Sequence, residues 1–367
     1  MWGALAPLVR AQDGWPPILI GAVWSAGPVG YGSGMVLAGR LADRLPPRRI
    51  CWAAVAMMAG GLGVALAVPR SWTFVAFYSA LGLGAGGATA LVGALAAGTS
   101  VLPARAGVVG GTLTASYALA AIVQVPVVTA LAAHLGWVDA LRLAGSALIL
   151  LAVGAVASMP PIPRPARATG GGERASTGEL AGRPLIRRGF LLELAATPLG
   201  AYAFVNLAGQ ARAVGLPLAV ATATILAIAS GNAAGRLSGG AASDRYGVRL
   251  AFLVVLVCDL VAAAILWQAS SAPPLLLAAA LVGIAFGAPA GLLSRMAREA
   301  APDAPHAAFG LLFTGYAAGA FTGPLLGAAL GGGRSVWLEL GALALAGLVI
   351  LAGGRTWHRP EALRRSS

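Results

Sequence analysis

Lysine is absent from this 367-residue chain, and only 12 acids stand against 25 arginines. Charged residues make up 10% of the whole, whereas a soluble globular chain carries about 25%. A water-soluble surface cannot be built from that supply. The two cysteines, Cys51 and Cys258, lie at or inside apolar segments, and no CxxC or HExxH spacing occurs. This excludes a disulfide framework and leaves no metal or cofactor motif. The three histidines, His134, His306 and His358, fall at helix ends or in the tail. No convergent acid, base and nucleophile exists, so an enzyme is not expected. The N-terminus has no charged stretch ahead of an apolar core, and a secretory signal peptide is not indicated.

What is present is apolar length. Hydrophobic residues make up 58% of the chain and the mean hydropathy is +0.83. Runs such as Ile50 to Val68, Ala140 to Ala157, Leu250 to Ala269 and Ser335 to Ala352 can each cross about 30 Å of hydrocarbon as a helix. Barrel strands alternate polar and apolar residues, and these runs are apolar on every face. Backbone satisfaction in lipid then leaves a helical bundle. If the helices alternate across the membrane, one set of loops holds only Arg10, Arg70, Arg142, Arg212 and Arg334, and the other set holds the remaining arginines. This asymmetry is the positive-inside pattern and assigns the arginine-rich set to the cytoplasm. The net charge of +13 is therefore topology, and no nucleic-acid partner is expected.

The chain repeats itself. Gly14 to Asp43 aligns without gaps with Gly215 to Asp244, pairing Gly14/Gly215, Pro16/Pro217, Gly30/Gly231, Gly34/Gly235, Gly39/Gly240, Asp43/Asp244 and Arg44/Arg245, and later Gly82/Gly283 and Gly86/Gly287. Between the copies, Met159 to Arg188 is rich in Pro, Gly, Ser and Arg and predicts a flexible linker. The expected organisation is a transmembrane bundle over 1–158, a cytoplasmic linker over 159–188, a second bundle over 189–354 and a cytoplasmic tail over 355–367. Helical spans are expected near 18–38, 50–68, 72–97, 106–133 and 140–157, then near 190–211, 218–242, 250–269, 273–296, 307–330 and 335–352. Met1 aligns with Tyr202, so the first half is expected to begin inside its own first helix, giving about eleven spans. The predicted fold is all-α, with two pseudo-symmetric bundles and the first helix largely missing.

Gly39 to Arg49 (GRLADRLPPRR) and Gly240 to Arg249 (GAASDRYGVR) each follow one helix and precede the next. They resemble the signature loop of the major facilitator superfamily. In that pattern the glycine lets helices approach, and the aspartate one turn on can meet an arginine or a helix N-terminus. The resemblance implies alternating access between two rocking halves, with Gly39, Asp43, Arg44, Gly240, Asp244 and Arg245 as a cytoplasmic latch. A finer resemblance, to the oxalate/formate antiporter and monocarboxylate porter branch, is carried by GNAAGR at Gly231 to Arg236, GLGAGG at Gly82 to Gly87, Arg105-Ala106-Gly107 and Gly136-Trp137. That branch holds a substrate carboxylate on an arginine of its eighth helix, which maps onto Arg236 with Asn232 before it. The branch's second basic residue, on the eleventh helix, has no counterpart in Ala307 to Leu330.

The candidate solute contacts are Arg236, Asn232, its repeat mate Tyr31, and the polar interruptions Tyr117, Gln124 and Tyr316. Against these stand structural roles: an interfacial arginine, interhelical hydrogen bonds and ring packing. Asn206 and Gln210 share a helix face that could reach an outer vestibule. Glu193 is expected to be solvated near a helix end, Glu339 to lie near the end of the last helix, and Asp259 to be a structural acid partly facing lipid. So few buried acids favour exchange or uniport over proton symport. The reading is a secondary active transporter of a mono- or dicarboxylate in a cytoplasmic (inner) membrane, working as a monomer with the solute and the bilayer as its partners. Alternatives are efflux of amphiphilic drugs or metabolites and, from another class, a transport-dead receptor or truncated remnant.

Overall fold

The computed structural model describes residues 2–162, 175–331 and 333–353, and all regular structure among them is helical. The middle of the expected linker (163–174) and the expected tail (355–367) lie outside the described residues. The first bundle contains α1 (Trp2–Asp13), α2 (Pro17–Ala42), α3 (Pro47–Ala67), α4 (Ser71–Val101), α5 (Ala106–Leu135) and α6 (Trp137–Ser158). The second contains α7 (Pro184–Ala213), α8 (Leu218–Tyr246), α9 (Val248–Gln268), α10 (Ala272–Ala300), α11 (Pro305–Ala329) and α12 (Ser335–Ala352). Eight of these helices are long and apolar enough to cross a membrane. The pseudo-symmetry is close: α9 displaced by the repeat offset coincides residue for residue with α3. The α1 segment pairs in the same way with the second half of α7, so each bundle presents the same order of six helices.

Repeat glycines do the same work in both halves. Gly14 after α1 and Gly215 after α7 both adopt positive φ (65° and 80°), a conformation that glycine reaches without a Cβ penalty. Deeper in, a Cβ on Gly30 would strike the Ala80 carbonyl of α4, and one on Gly231 would strike the Ala280 carbonyl of α10. The α2–α4 and α8–α10 pairs therefore pack backbone to backbone, the close approach that small residues permit in lipid. The copies differ at their turns. After Asp244, α8 ends on Gly247 at φ 86°. After Asp43, Pro46 caps and Pro47 opens α3, where a missing N–H is no loss. Over its first half, Phe74–Gly86, α4 winds as a π-helix, whereas its mate α10 does not.

One expectation about the linker changes. Thr177–Gly182 forms a short helix closed by a capping box between Ser176 and Glu179, and α7 already begins at Pro184. Arg183, just ahead of α7, holds Asp303 in the α10–α11 loop through two bonds of 2.6 and 2.7 Å. The linker's last third is thus ordered against the second bundle, because a serine N-cap, a glutamate three residues on and a bidentate arginine replace the apolar contacts it lacks.

Candidate solute site and gate

Contacts between the bundles cluster at one end, where the two signature loops lie. Both aspartates occupy the same place on a helix of the opposite bundle. Asp244 accepts from the backbone N–H groups of Gly107 (3.0 Å) and Val108 (2.8 Å), the second and third residues of α5. Asp43 accepts from His306 (3.2 Å) and Ala307 (2.9 Å), the second and third residues of α11. A carboxylate there satisfies two otherwise orphaned donors and meets the positive end of the helix dipole. Gly39 and Gly240, one turn earlier, make this reach possible. A Cβ on Gly39 would collide with the His306 carbonyl and one on Gly240 with the Gly107 carbonyl.

The arginines expected in the latch do not take part. Arg44 is exposed and Arg245 stacks over the ring of Tyr246 at 5.2 Å. Neither forms an ion pair with Asp43 or Asp244 among the described residues. The basic neighbours come from elsewhere: the His306 ring lies 2.7 Å from Asp43, and Arg295 of α10 lies 3.5 Å from Asp244. Neither was singled out from sequence for this role. His306 does carry a local signal, because Pro305 ahead of it marks a helix start.

About three turns along α8 from its end at Tyr246, Arg236 turns inward. Its Nε donates to Asn232 Oδ1 (2.9 Å), one Nη donates to the Tyr316 hydroxyl (3.2 Å), and the other points at the Thr114 carbonyl of α5 (3.4 Å). No carboxylate pairs with this guanidinium among the described residues. Rings close around it: Tyr316 lies against Phe313 and Phe286 (centroids 5.2 and 5.3 Å), Phe313 meets Tyr31 (5.5 Å), and Tyr31 meets Tyr117 (6.1 Å). Tyr117 donates to the Gly87 carbonyl (2.6 Å). Of its surface 43% is exposed. Arg236, Asn232, Tyr31, Tyr117 and Tyr316 thus come together, drawn from α2, α5, α8 and α11 of both bundles. Gln124 lies two turns beyond Tyr117, half-buried and apart from the cluster. Gln210 does not face a vestibule, because its amide donates to the Leu266 carbonyl of α9 (3.0 Å).

Two acids are placed differently from expectation. Glu193 has no exposed surface and Asp259 has 1%. All four of their carboxyl oxygens are buried without a hydrogen-bond partner. Glu193 is enclosed because α7 packs that face against α10, α11 and α12. Asp259 is enclosed because α9 turns it towards α10 and α12 instead of lipid.

Comparison with known proteins agrees with this architecture. A sequence model of the Major Facilitator Superfamily matches residues 1–238, and one described as "Sugar (and other) transporter" matches residues 190–357. No curated protein sequence matches the chain. Among solved structures, the transporter FucP in the outward conformation superposes with a TM-score of 0.73 at 17% identity, covering 98% of this chain and 94% of FucP. A single-residue variant of the Escherichia coli fucose:proton symporter FucP gives 0.69 at 15% identity, covering 98% and 95%. The proton:xylose symporter XylE bound to 6-bromo-6-deoxy-D-glucose gives 0.73 at 14% identity, covering 95% and 90%. The repeat, the paired aspartate caps and the family match lead to one conclusion: this chain belongs to the Major Facilitator Superfamily and is a multi-pass membrane transporter of a small solute.

Proposed function

We propose that the chain carries a small organic carboxylate by alternating access, with Arg236 as the anion receptor. The observation that carries this reading is a partly buried guanidinium between the bundles whose hydrogen bonds go only to neutral oxygens. An arginine fork pairs strongly with a carboxylate where water is scarce, and no side-chain carboxylate among the described residues is paired with it. Tyr31, Tyr117 and Tyr316 supply hydroxyls and ring faces for the rest of the solute, and Asn232, whose Nδ2 has no partner, has a donor left to give. With the arginine-rich loops in the cytoplasm, we read the joined signature loops as a closed inner gate.

A sugar is the second reading. It is favoured by the match of residues 190–357 to the sugar-transporter model and by the fucose and xylose symporters among the structural neighbours. The oxalate/formate branch gains no such support from these matches, so within the carboxylate reading the solute class rests on Arg236 alone. The two readings separate in one experiment: the unfolding midpoint of purified protein against carboxylates, sugars and lipophilic cations. A ligand at a hundred times its Kd adds about 2.7 kcal/mol to the folded state. The carboxylate reading requires a shift from carboxylates that Arg236→Ala weakens by about 10- to 100-fold in affinity, the worth of a charged hydrogen bond. A shift from sugars alone, or a carboxylate shift indifferent to Arg236, refutes it.

A further inference from the structure

On the arginine-rich side of the membrane the second bundle has a groove of about 560 Å³ between the first turns of α9 and the last turn of α12. Leu250, Leu253, Leu348 and Leu351 line it, and Leu250 and Leu253 are exposed. Tyr246, where α8 ends, and Arg249 line its shallow end, since Leu253 lies about 6 Å deeper along α9 at 1.5 Å per residue. Arg245 adjoins them, with its guanidinium over the Tyr246 ring at 5.2 Å. Arg249 itself is exposed and has no hydrogen-bond or ion-pair partner among the described residues. The first bundle treats the same arginine differently. Arg48, the repeat mate of Arg249, donates to the Ala157 carbonyl near the end of α6 (3.0 Å) and so ties α3 to α6. Arg49 and Trp52 stand where the second copy has Leu250 and Leu253. One copy therefore joins its helices with the arginine, and the other leaves a free cation beside an apolar floor. The opposite end of α9 shows the contrast within the molecule: no charged residue lines the groove of about 460 Å³ around Gln268, Ser270, Ser271 and Pro274.

We propose that the groove between α9 and α12 holds an anionic phospholipid, with its phosphate on Arg249 and Arg245 and an acyl chain along Leu250, Leu253 and Leu348. Charge and shape each select one part of that molecule. A guanidinium without a protein partner offers phosphate oxygens a planar fork. The apolar floor takes hydrocarbon, which a free phosphate lacks. The location agrees, because anionic lipids and arginine-rich loops share the cytoplasmic leaflet. Two other occupants fit less well. The chain's own residues 354–367 carry Arg355, Arg359, Arg364 and Arg365 against the single acid Glu361, and like charge keeps them from Arg249. A zwitterionic lipid brings a cation beside its phosphate and loses much of the attraction. The site is independent of Arg236 and of the solute carried.

The test is native mass spectrometry of the detergent-purified full chain, titrated with phosphatidylglycerol and phosphatidylcholine of identical acyl chains. Phosphatidylglycerol should bind the wild type more tightly. Arg249→Gln and Arg245→Gln should each weaken it about fivefold, the worth of one basic residue at an anionic membrane surface. Arg249→Lys keeps the charge and should recover most of that loss. Arg49→Gln removes the same charge from the same side of the first bundle and should leave binding unchanged. Leu253→Trp puts the first copy's ring into the groove and should weaken phosphatidylglycerol with both arginines in place. Equal binding of the two lipids, or equal losses in Arg49→Gln and Arg249→Gln, overturns the site. Inorganic phosphate that displaces phosphatidylglycerol would make the ligand a free anion, and a dimer that Leu253→Trp dissolves would make it a second copy of the chain. Either result overturns the lipid.

Discussion

The two gates share a backbone design and differ in what surrounds it. At both, an aspartate one turn after a glycine caps the second and third amides of a helix in the opposite bundle. At Asp43 the basic neighbour is an imidazole on the very helix being capped, and the pair is nearly enclosed, with side-chain exposures of 7% and 11%. At Asp244 it is a guanidinium on a third helix at 3.5 Å, with exposures of 11% and 23%. The helix N-terminus is the constant partner and the basic side chain is the variable one. Both aspartates are therefore held chiefly by oriented N–H groups, with the basic side chains as local supplements.

Breaking the glycine approach should have the largest effect. Gly39→Leu and Gly240→Leu each force a side chain into backbone of the opposite bundle, and overpacking costs about 1–3 kcal/mol. Both should lower the unfolding midpoint of the latched protein, and equal stability of either variant would show that its gate is not closed. Removing one carboxylate charge comes next. Asp43→Asn and Asp244→Asn each lose charge-assisted bonds, together worth about 1.5–3 kcal/mol. Turnover should slow while solute affinity stays within a few-fold, as measured by transport into proteoliposomes. The basic side chains sharpen the contrast with smaller effects. His306→Gln should cost about 0.5–1.5 kcal/mol for one lost hydrogen bond, and Arg295→Gln about 0–1 kcal/mol for a long, partly exposed pair. A larger loss at Arg295 than at Asp244 would reverse the ranking of helix terminus over cation.

The smallest effect lies outside both gates. Hydrogen bonds from Arg183 hold the Asp303 carboxyl below its usual range. A depressed carboxyl contributes stability above its unfolded value, and that contribution is lost as pH falls through the folded one. Thermal melts of wild type and Asp303→Asn should therefore differ by about 1 kcal/mol or less near neutrality and converge in acid.

The repeat and the loop motif made the fold legible, because close helix packing demands glycine at fixed positions and Gly30, Gly39, Gly231 and Gly240 stand there in both copies. The same logic put Asp43 and Asp244 in the gate but misassigned their neighbours. Arg44 and Arg245 adjoin them in sequence, whereas His306 and Arg295 adjoin them only once α11 and α10 are in place. Glu193 was misread for a related reason. A span expected to start near Phe190 puts Glu193 close to a helix end, whereas α7 begins at Pro184 and packs that face against α10, α11 and α12. The ring cluster was partly legible: Tyr31, Tyr117 and Tyr316 interrupt apolar helices, while Phe313 and Phe286 are indistinguishable in sequence from ordinary lipid-facing residues.

Hydrogen–deuterium exchange of the α5 and α11 N-termini tests the aspartate caps most directly, because the opposite bundle's carboxylates accept from the amides of 107–108 and 306–307. Asp244→Asn should raise exchange at 107–108 and leave 306–307 unchanged, and Asp43→Asn should do the reverse. Exchange at 107–108 and 306–307 that ignores both substitutions would contradict the account.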